Sequence, residues 1–107
     1  MTTTTPPLPD HVSIREVGPR DGFQNKPELI STNDKVRLID QLARPGIGRL
    51  EVTNFVCPDI TAQFADGSQV LRRIDPPESV SISVHIRNER GLAQALADRA
   101  EMDEISV

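Results

Sequence analysis

An arginine and an aspartate, Arg20 and Asp21, lie side by side directly after a β-like run near the start of the chain. In folds with parallel strands, ligands bind on the loops that follow the carboxyl ends of strands, so this pair is placed for function. The aspartate offers a hard oxygen ligand for Mg²⁺ or Mn²⁺. The arginine offers a permanent charge and a planar set of donors that suits a developing oxyanion. The pair therefore predicts a metal ion beside an oxyanion, with Gly18 and Gly22 letting the backbone turn tightly around the ion.

A second interpretation of this loop involves no ligand. An isolated Arg-Asp pair is more often an ordinary surface ion pair, and Pro19 and Gly22 then do no more than form a turn. The residues around the pair decide between the two interpretations.

A carboxylate also interrupts the apolar run of the second predicted strand. Glu51 lies between Leu50 and Val52, and a carboxylate in the interior of a domain is tolerated only when it is paired or coordinated. We therefore expect Glu51 to be paired or coordinated, which is consistent with a role in a site. Its structural alternative is an ion pair with a buried arginine, and Arg20 itself is a candidate, so the two interpretations are compatible.

The elements that position these residues alternate between strands and helices. The sequence first predicts a strand over 12–17, a loop over 18–30, and a helix that is capped by Ser31 and ended by Pro45-Gly46. A strand over 49–53, a helix over 68–74 and a strand over 80–86 follow. A helix capped by Asn88 and a strand that begins at Glu104 complete the order. The apolar stripe assigned to the first helix is Val36, Ile39 and Ala43, with Leu38 and Leu42 beside them. The apolar residues assigned to the third helix are Leu92, Ala93, Leu96 and Ala97. This alternation predicts an α/β fold with a parallel sheet, as in doubly wound sheets and (β/α)₈ barrels. A doubly wound nucleotide-binding domain is disfavoured because no Gly-x-Gly-x-x-Gly segment follows the first strand.

Composition narrows the class of protein. The chain has 107 residues, 36% of them hydrophobic, and a net charge of -4 with scattered Lys and Arg, so we expect no nucleic-acid partner. No apolar run approaches the about 18 residues of a membrane span, so we expect no membrane partner. The single cysteine suits a reducing compartment and predicts a cytoplasmic protein. Residues 1–10 are rich in Thr and Pro and are predicted to be a disordered leader before a domain over 11–107.

The string from Gly18 to Asn25, Gly-Pro-Arg-Asp-Gly-Phe-Gln-Asn, follows Glu16-Val17 and resembles the signature of hydroxymethylglutaryl-CoA lyases. Gly18-Pro19 and Asn25 favour the lyases over the related Claisen-type synthases. Similarity to this family continues through the first helix, the second strand with its loop, and the start of the third helix. It extends from His11 to Val107.

This resemblance implies an N-terminal portion, about three and a half βα units, of a (β/α)₈ TIM barrel. Asp21 would bind a divalent metal, Mg²⁺ or Mn²⁺. Arg20 would stabilise the enolate oxygen, and Arg20 and Gln24 would bind substrate. Glu51 and Gln24 would complete the catalytic set beside Arg20. The implied partner is an acyl-CoA substrate, 3-hydroxy-3-methylglutaryl-CoA, cleaved to acetyl-CoA and acetoacetate in leucine breakdown and ketone-body formation; a homo-oligomer is possible.

Other interpretations concern the length of the chain. A complete barrel uses about 250 residues, so we expect a fragment that leaves apolar strand edges and inner faces open. It is then part of the lyase, an inactive truncated remnant that serves only in folding or assembly, or part of a related acyl-CoA lyase or aldolase of the same superfamily. Four further polar residues have simpler interpretations. Cys57 is predicted to be a buried, inert thiol rather than a nucleophile, and His11 a solvated residue. His85 on the third strand could face the barrel interior, but a structural role is favoured. Asn88 could contact the site, and capping of the third helix explains it equally well.

Overall fold

The strands of the chain form one parallel sheet. The structure is a computed structural model that describes residues 6–44, 46–56 and 61–107. Within those ranges the strands are β1 (Arg15–Glu16), β2 (Arg49–Phe55), β3 (Ser81–Ile86) and β4 (Glu104–Ser106). They lie in the order β1-β2-β3-β4, and each neighbouring pair is parallel. The predicted α/β class with a parallel sheet is confirmed.

Helices connect successive strands, as the alternation predicts. They are α1 (Thr32–Leu42), α2 (Gly67–Arg73) and α3 (Glu89–Ala97). The Ser31 hydroxyl accepts a hydrogen bond from the Asp34 amide at 3.1 Å, and the Asn88 side chain accepts one from the Gly91 amide at 2.9 Å. Both predicted caps are therefore confirmed, because each satisfies an amide that the first helical turn leaves without a partner. None of the helices in the described ranges combines the length and apolar character of a membrane span.

Three elements differ from the prediction by two residues or more at a boundary. Only residues 15–16 of the predicted strand 12–17 pair with β2, because β1 lies at an edge of the sheet and has one neighbour. β2 continues two residues past its predicted end, to Phe55, because β3 pairs with it over that length. The helix α1 ends at Leu42, before the predicted stop at Pro45-Gly46, and Pro45 lies outside the described residues.

The predicted loop over 18–30 begins as a helical turn. Residues Gly18–Gly22 form one π-helical turn, in which the Asp21 amide donates to the Val17 carbonyl at 2.7 Å. The turn does not require the left-handed conformation that favours glycine, because no glycine in the described ranges has a positive φ. A Cβ added at Gly22 would meet open space, and one at Gly18 would meet only the carboxylate end of Glu16.

The hydrophobic core lies between the sheet and the helices. Its buried members come from β2, from β3 and the residue before it, and from the three helices with the residue that follows α1: Leu50, Val52, Phe55, Val80, Ile82, Val84, Ile86, Ile39, Ala43, Val70, Leu71 and Ala95. The stripe predicted for α3 was wrong, since Leu92 and Leu96 are 38% and 51% exposed. Gly91 and Ala95 face the sheet instead, because α3 approaches β2 and β3 so closely that only small residues fit.

The opposite face of the sheet is polar. Arg49, Glu51 and Asn54 of β2 pair in register with Ser81, Ser83 and His85 of β3, and β4 adds Glu104 and Ser106 beside the last two. The expectation of an open apolar inner face was therefore wrong. In a regular strand residues three apart point to opposite faces, but the register shifts between Glu51 and Thr53. This bulge places Glu51 and Asn54 on the same face.

A methyl group at Gly91 tests the close approach of α3. Its Cβ would lie 2.7 Å from the Phe55 carbonyl oxygen and 3.4 Å from the Ile86 Cβ. We expect Gly91→Ala to lower the free energy of unfolding by about 1–2 kcal/mol, because overpacking outweighs the gain in helix propensity. Denaturant unfolding measures this. Gly22→Ala is the matched control and should be neutral within about 0.5 kcal/mol; equal midpoints for both variants would contradict the packing.

Candidate active site

The predicted charged residues Arg20, in the turn after the carboxyl end of β1, and Glu51, on the polar face of β2, meet in the structure. The Arg20 Nε atom donates to Glu51 Oε2 at 2.7 Å, across 31 positions of sequence. The side chain of Glu51 is 2% exposed, whereas that of Arg20 is 23% exposed. The expected ion pair is therefore present, and it uses Arg20 Nε rather than the terminal guanidinium nitrogens. A guanidinium held in this way is preoriented to stabilise an anion.

Two residues of β3 and β4 extend this pair into a chain of polar contacts. The Ser106 hydroxyl donates to Glu51 Oε1 and lies 3.4 Å from the Val84 carbonyl oxygen. The His85 Nδ1 atom lies 3.2 Å from Ser106 Oγ. Each oxygen of the buried carboxylate thus has its own donor, which is the condition under which a buried charge is tolerated.

The surroundings of Glu51 keep it ionised. Burial alone would raise the pKa of its carboxyl, but the hydrogen bonds from Ser106 and Arg20 and the positive charge of Arg20 outweigh burial. The pKa of Glu51 therefore lies below its usual 4.5. Because the folded pKa is lowered, Glu51 adds stability above the unfolded pKa, and that stability is lost as the pH falls through the folded pKa.

The surroundings of His85 favour its neutral form. Burial lowers the pKa of this imidazole below its usual 6.5, and the charges of Arg20 and Arg87 act in the same direction, while Glu51 opposes them. From the sequence, a structural role on the third strand was favoured for His85. The structure places it on β3 at the polar face, bonded to Ser106 and close to the ion pair.

The other two predicted site residues are more open. Asp21 has a side chain that is 61% exposed, with Oδ1 3.7 Å from the Arg20 Nη1 atom. Gln24 follows the helical turn and is exposed. Within residues 6–44, 46–56 and 61–107, no group of three His, Cys, Asp or Glu side chains is arranged to hold a metal ion. Asp21 is thus one accessible oxygen donor rather than a complete metal site.

Sequence reasoning missed Ser106 as part of the site. A serine in a short strand near the end of the chain carries no signal by itself, and its importance depends on the strand register. Asn54 was also missed, although an amide at a strand end is a common polar site residue; its Oδ1 is buried without a partner among the described residues. Asn88 serves as the predicted cap, His11 is exposed as predicted, and Cys57 lies outside the described residues.

Comparison with known sequences identifies relatives over nearly the whole chain. No protein-family model matches the chain. The hydroxymethylglutaryl-CoA lyase YngG of Bacillus subtilis is 43% identical over 90 residues, which cover 84% of this chain and 30% of the relative. The mitochondrial hydroxymethylglutaryl-CoA lyase of Macaca fascicularis is 40% identical over 106 residues, which cover 99% of this chain and 32% of the relative. The chain thus spans about a third of the length of these relatives.

The chain is also similar to solved structures of HMG-CoA lyases. The HMG-CoA lyase of Bacillus subtilis superposes with a TM-score of 0.84 at 40% identity, over 92% of this chain and 33% of that one. An HMG-CoA lyase of Acinetobacter baumannii, solved in complex with coenzyme A and 3-methylmalate, superposes with a TM-score of 0.77 at 33% identity, over 82% of this chain and 29% of that one. The sheet and helices described above therefore match part of the TIM barrel of these enzymes. Sequence and structure agree that the chain belongs to the hydroxymethylglutaryl-CoA lyase family.

Proposed function

We propose that this chain contributes the Arg20–Glu51 part of the active site of a carbon–carbon lyase that cleaves 3-hydroxy-3-methylglutaryl-CoA to acetyl-CoA and acetoacetate. The observation that carries the proposal is the ion pair of Arg20 with Glu51 on the polar face of the sheet, with Arg20 Nε 2.7 Å from the buried Glu51 Oε2. Ligands of parallel α/β folds bind beyond the carboxyl ends of strands, and Arg20 follows the carboxyl end of β1.

The reaction places distinct demands on the site. The tertiary hydroxyl loses its proton and becomes the ketone of acetoacetate as the adjacent carbon–carbon bond breaks. The electron pair of that bond passes to the acetyl-CoA carbon, and the thioester oxygen carries the enolate charge until the carbon is protonated. A fixed positive charge near that oxygen lowers the barrier, because it interacts more strongly with the enolate than with the neutral thioester.

In this proposal each residue has one role. Arg20 binds the enolate oxygen through its terminal nitrogens, and Glu51 holds the guanidinium in place through Nε. The salt bridge keeps the arginine from swinging toward solvent, so its charge is already oriented when the enolate forms. Gln24, exposed beside the turn, contacts the substrate.

We further propose that Asp21 supplies one ligand to a divalent Mg²⁺ or Mn²⁺ ion. Its carboxylate is exposed at the same edge as Arg20 and has the hard oxygen chemistry that these ions take. When bound, such an ion makes a coordinated hydroxyl easier to deprotonate. The described residues do not complete a divalent site, so the remaining ligands would come from outside them.

An acyl-CoA thioester is the proposed substrate class. The Acinetobacter relative was solved with coenzyme A and 3-methylmalate, and this supports the same class of ligand here. A cytoplasmic location is proposed from the single cysteine in the sequence.

The test is acetoacetate release from 3-hydroxy-3-methylglutaryl-CoA in the presence of Mg²⁺ or Mn²⁺. It is run on the purified chain and on a fused protein in which this chain replaces the segment that it matches in the Bacillus subtilis relative. We expect the fused protein to be active and the chain alone to be inactive, because Asp21 is a single ligand.

Asp21→Ala in the fused protein should lower activity by at least about 10²-fold, because a metal ligand is lost. Asp34→Ala is the matched control, since Asp34 is also an exposed carboxylate near a helix start but takes no part in the ion pairs of Arg20 and Glu51. A fused protein that folds but shows no lyase activity, or one that keeps full activity without Asp21, would contradict the proposal.

A further inference from the structure

The Glu51 carboxylate fixes the direction of the Ser106 hydroxyl. Arg20 Nε occupies Oε2, and the remaining oxygen, Oε1, contacts Ser106 Oγ. An ionised carboxylate can only accept hydrogen bonds, so the proton in the second contact comes from the serine. The hydroxyl therefore points toward Glu51.

The same hydroxyl then fixes the proton of His85. A serine hydroxyl has one hydrogen to donate, and here that hydrogen is committed to Glu51. The contact of 3.2 Å between Ser106 Oγ and His85 Nδ1 must therefore use a hydrogen on Nδ1. In a neutral imidazole with Nδ1 protonated, Nε2 has a lone pair and accepts hydrogen bonds.

Charged groups surround this histidine on several elements. Glu51 approaches from β2, Arg20 from the helical turn, and Arg87 from the residue after β3. The β4 neighbour is the uncharged Ser106. Two cations against one carboxylate, itself already paired with Arg20, disfavour a further positive charge on the ring.

We propose that Ser106 is a positioning residue that orients Glu51 and holds His85 as the Nδ1–H tautomer, so that Nε2 is a hydrogen-bond acceptor for a hydroxyl group of the ligand. The polar chain then runs from His85 through Ser106 and Glu51 to Arg20, linking an acceptor for a hydroxyl with a donor for an oxyanion. The identity of the hydroxyl rests on the proposed function, in which the substrate is a tertiary alcohol. The tautomer rests on the hydrogen-bond geometry and on the ionised Glu51 carboxylate, and not on the proposed function.

The tautomer is measured by long-range ¹H–¹⁵N correlation NMR on the ¹⁵N-labelled 107-residue chain at a pH above the His85 titration. The chain has two histidines, and the exposed His11 is the internal reference. We expect the nitrogen pattern of a protonated Nδ1 and a bare Nε2 for His85. A protonated Nε2, or a tautomer mixture identical to that of His11, would overturn the proposal.

Two substitutions at Ser106 separate positioning from general stability. Ser106→Ala should move the His85 tautomer populations toward those of His11, and Ser106→Thr, which keeps the hydroxyl, should retain the wild-type pattern. Ser83→Ala is the control, because Ser83 is a buried serine on the same face whose Oγ has no partner among the described residues. A wild-type pattern in Ser106→Ala would overturn the positioning role. If that variant unfolds, the wild-type chain and Ser106→Thr decide the outcome.

The ligand is tested with two acids that differ by one hydroxyl. Adding 3-hydroxy-3-methylglutarate to the chain should move the His85 Nε2 resonance, whereas 3-methylglutarate should not. Equal shifts from both acids, or no shift from either, would overturn the assignment of Nε2 to a hydroxyl donor. None of these measurements requires turnover, so an inactive fused protein with His85 in the Nδ1–H form would contradict the proposed function and leave the tautomer assignment intact.

Discussion

Arg20→Lys in the fused protein is expected to lower kcat by about 10²–10³-fold, the effect of losing one preoriented oxyanion donor. Arg20 binds Glu51 through Nε at 2.7 Å, so its terminal nitrogens, one of which lies 3.7 Å from Asp21 Oδ1, are not used by Glu51. Lysine has a single ammonium on a flexible stem, so it cannot bind the carboxylate and present a second donor at a fixed angle. Because the lost interaction forms in the transition state, KM should change much less than kcat. Steady-state kinetics measure both constants.

The matched control for this substitution is Arg72→Lys. Arg72 also pairs with a buried carboxylate, that of Asp98 at 3.1 Å, but on α2 and away from the sheet edge. Its substitution should leave kcat unchanged. Loss of activity in both variants would mean that any weakened ion pair impairs the fold, and full activity in Arg20→Lys would mean that Arg20 is not the oxyanion donor.

Lys35→Met is expected to lower the free energy of unfolding by about 3 kcal/mol, because it removes one partner of a buried ion pair. The Lys35 side chain is 5% exposed, and its ammonium donates to Asp66 Oδ1 at 2.7 Å and also to the Gln63 carbonyl oxygen. Methionine fills a similar volume but leaves both acceptors without that donor. Denaturant unfolding of the 107-residue chain measures the loss.

A control variant and a double variant show whether the loss comes from the buried ion pair. Lys26→Met replaces an exposed lysine and should change stability by less than about 0.5 kcal/mol. The double variant Lys35→Met/Asp66→Asn should recover part of the loss, since the carboxylate without its cation is removed as well. Equal stability of Lys35→Met and the wild-type chain would show that Lys35 is not held in the buried pair.

Much of the fold follows from local sequence. The caps at Ser31 and Asn88 were predictable because a short polar side chain directly before a helix can accept a hydrogen bond from a free amide of the first turn. The ion pair of Arg20 with Glu51 was predictable on different grounds, since a carboxylate within an apolar strand needs a cation and the first loop supplies one.

What was not predictable depends on register and on contacts between distant residues. The bulge after Glu51 has no marker such as glycine, yet it sets which face Asn54 lies on. The role of Ser106 follows from its pairing beside His85, a register that no pattern within β4 encodes. The buried face of α3 was mispredicted for the same reason. The spacing of Leu92 and Leu96 suits a buried face, but the close approach of α3 to the sheet at Gly91 leaves no room for large side chains there.

The most direct test of the account is a double-mutant cycle between Arg20 and Glu51 in the 107-residue chain. Arg20→Met, Glu51→Gln and the double variant are compared by denaturant unfolding, and each variant keeps approximately the volume of the original side chain. The buried contact of 2.7 Å between the two residues predicts a coupling free energy of about 1–3 kcal/mol, so the double variant should be clearly less destabilised than the sum of the single variants. Losses that add to within about 0.5 kcal/mol would contradict the account, because Arg20 and Glu51 would then not act as a unit.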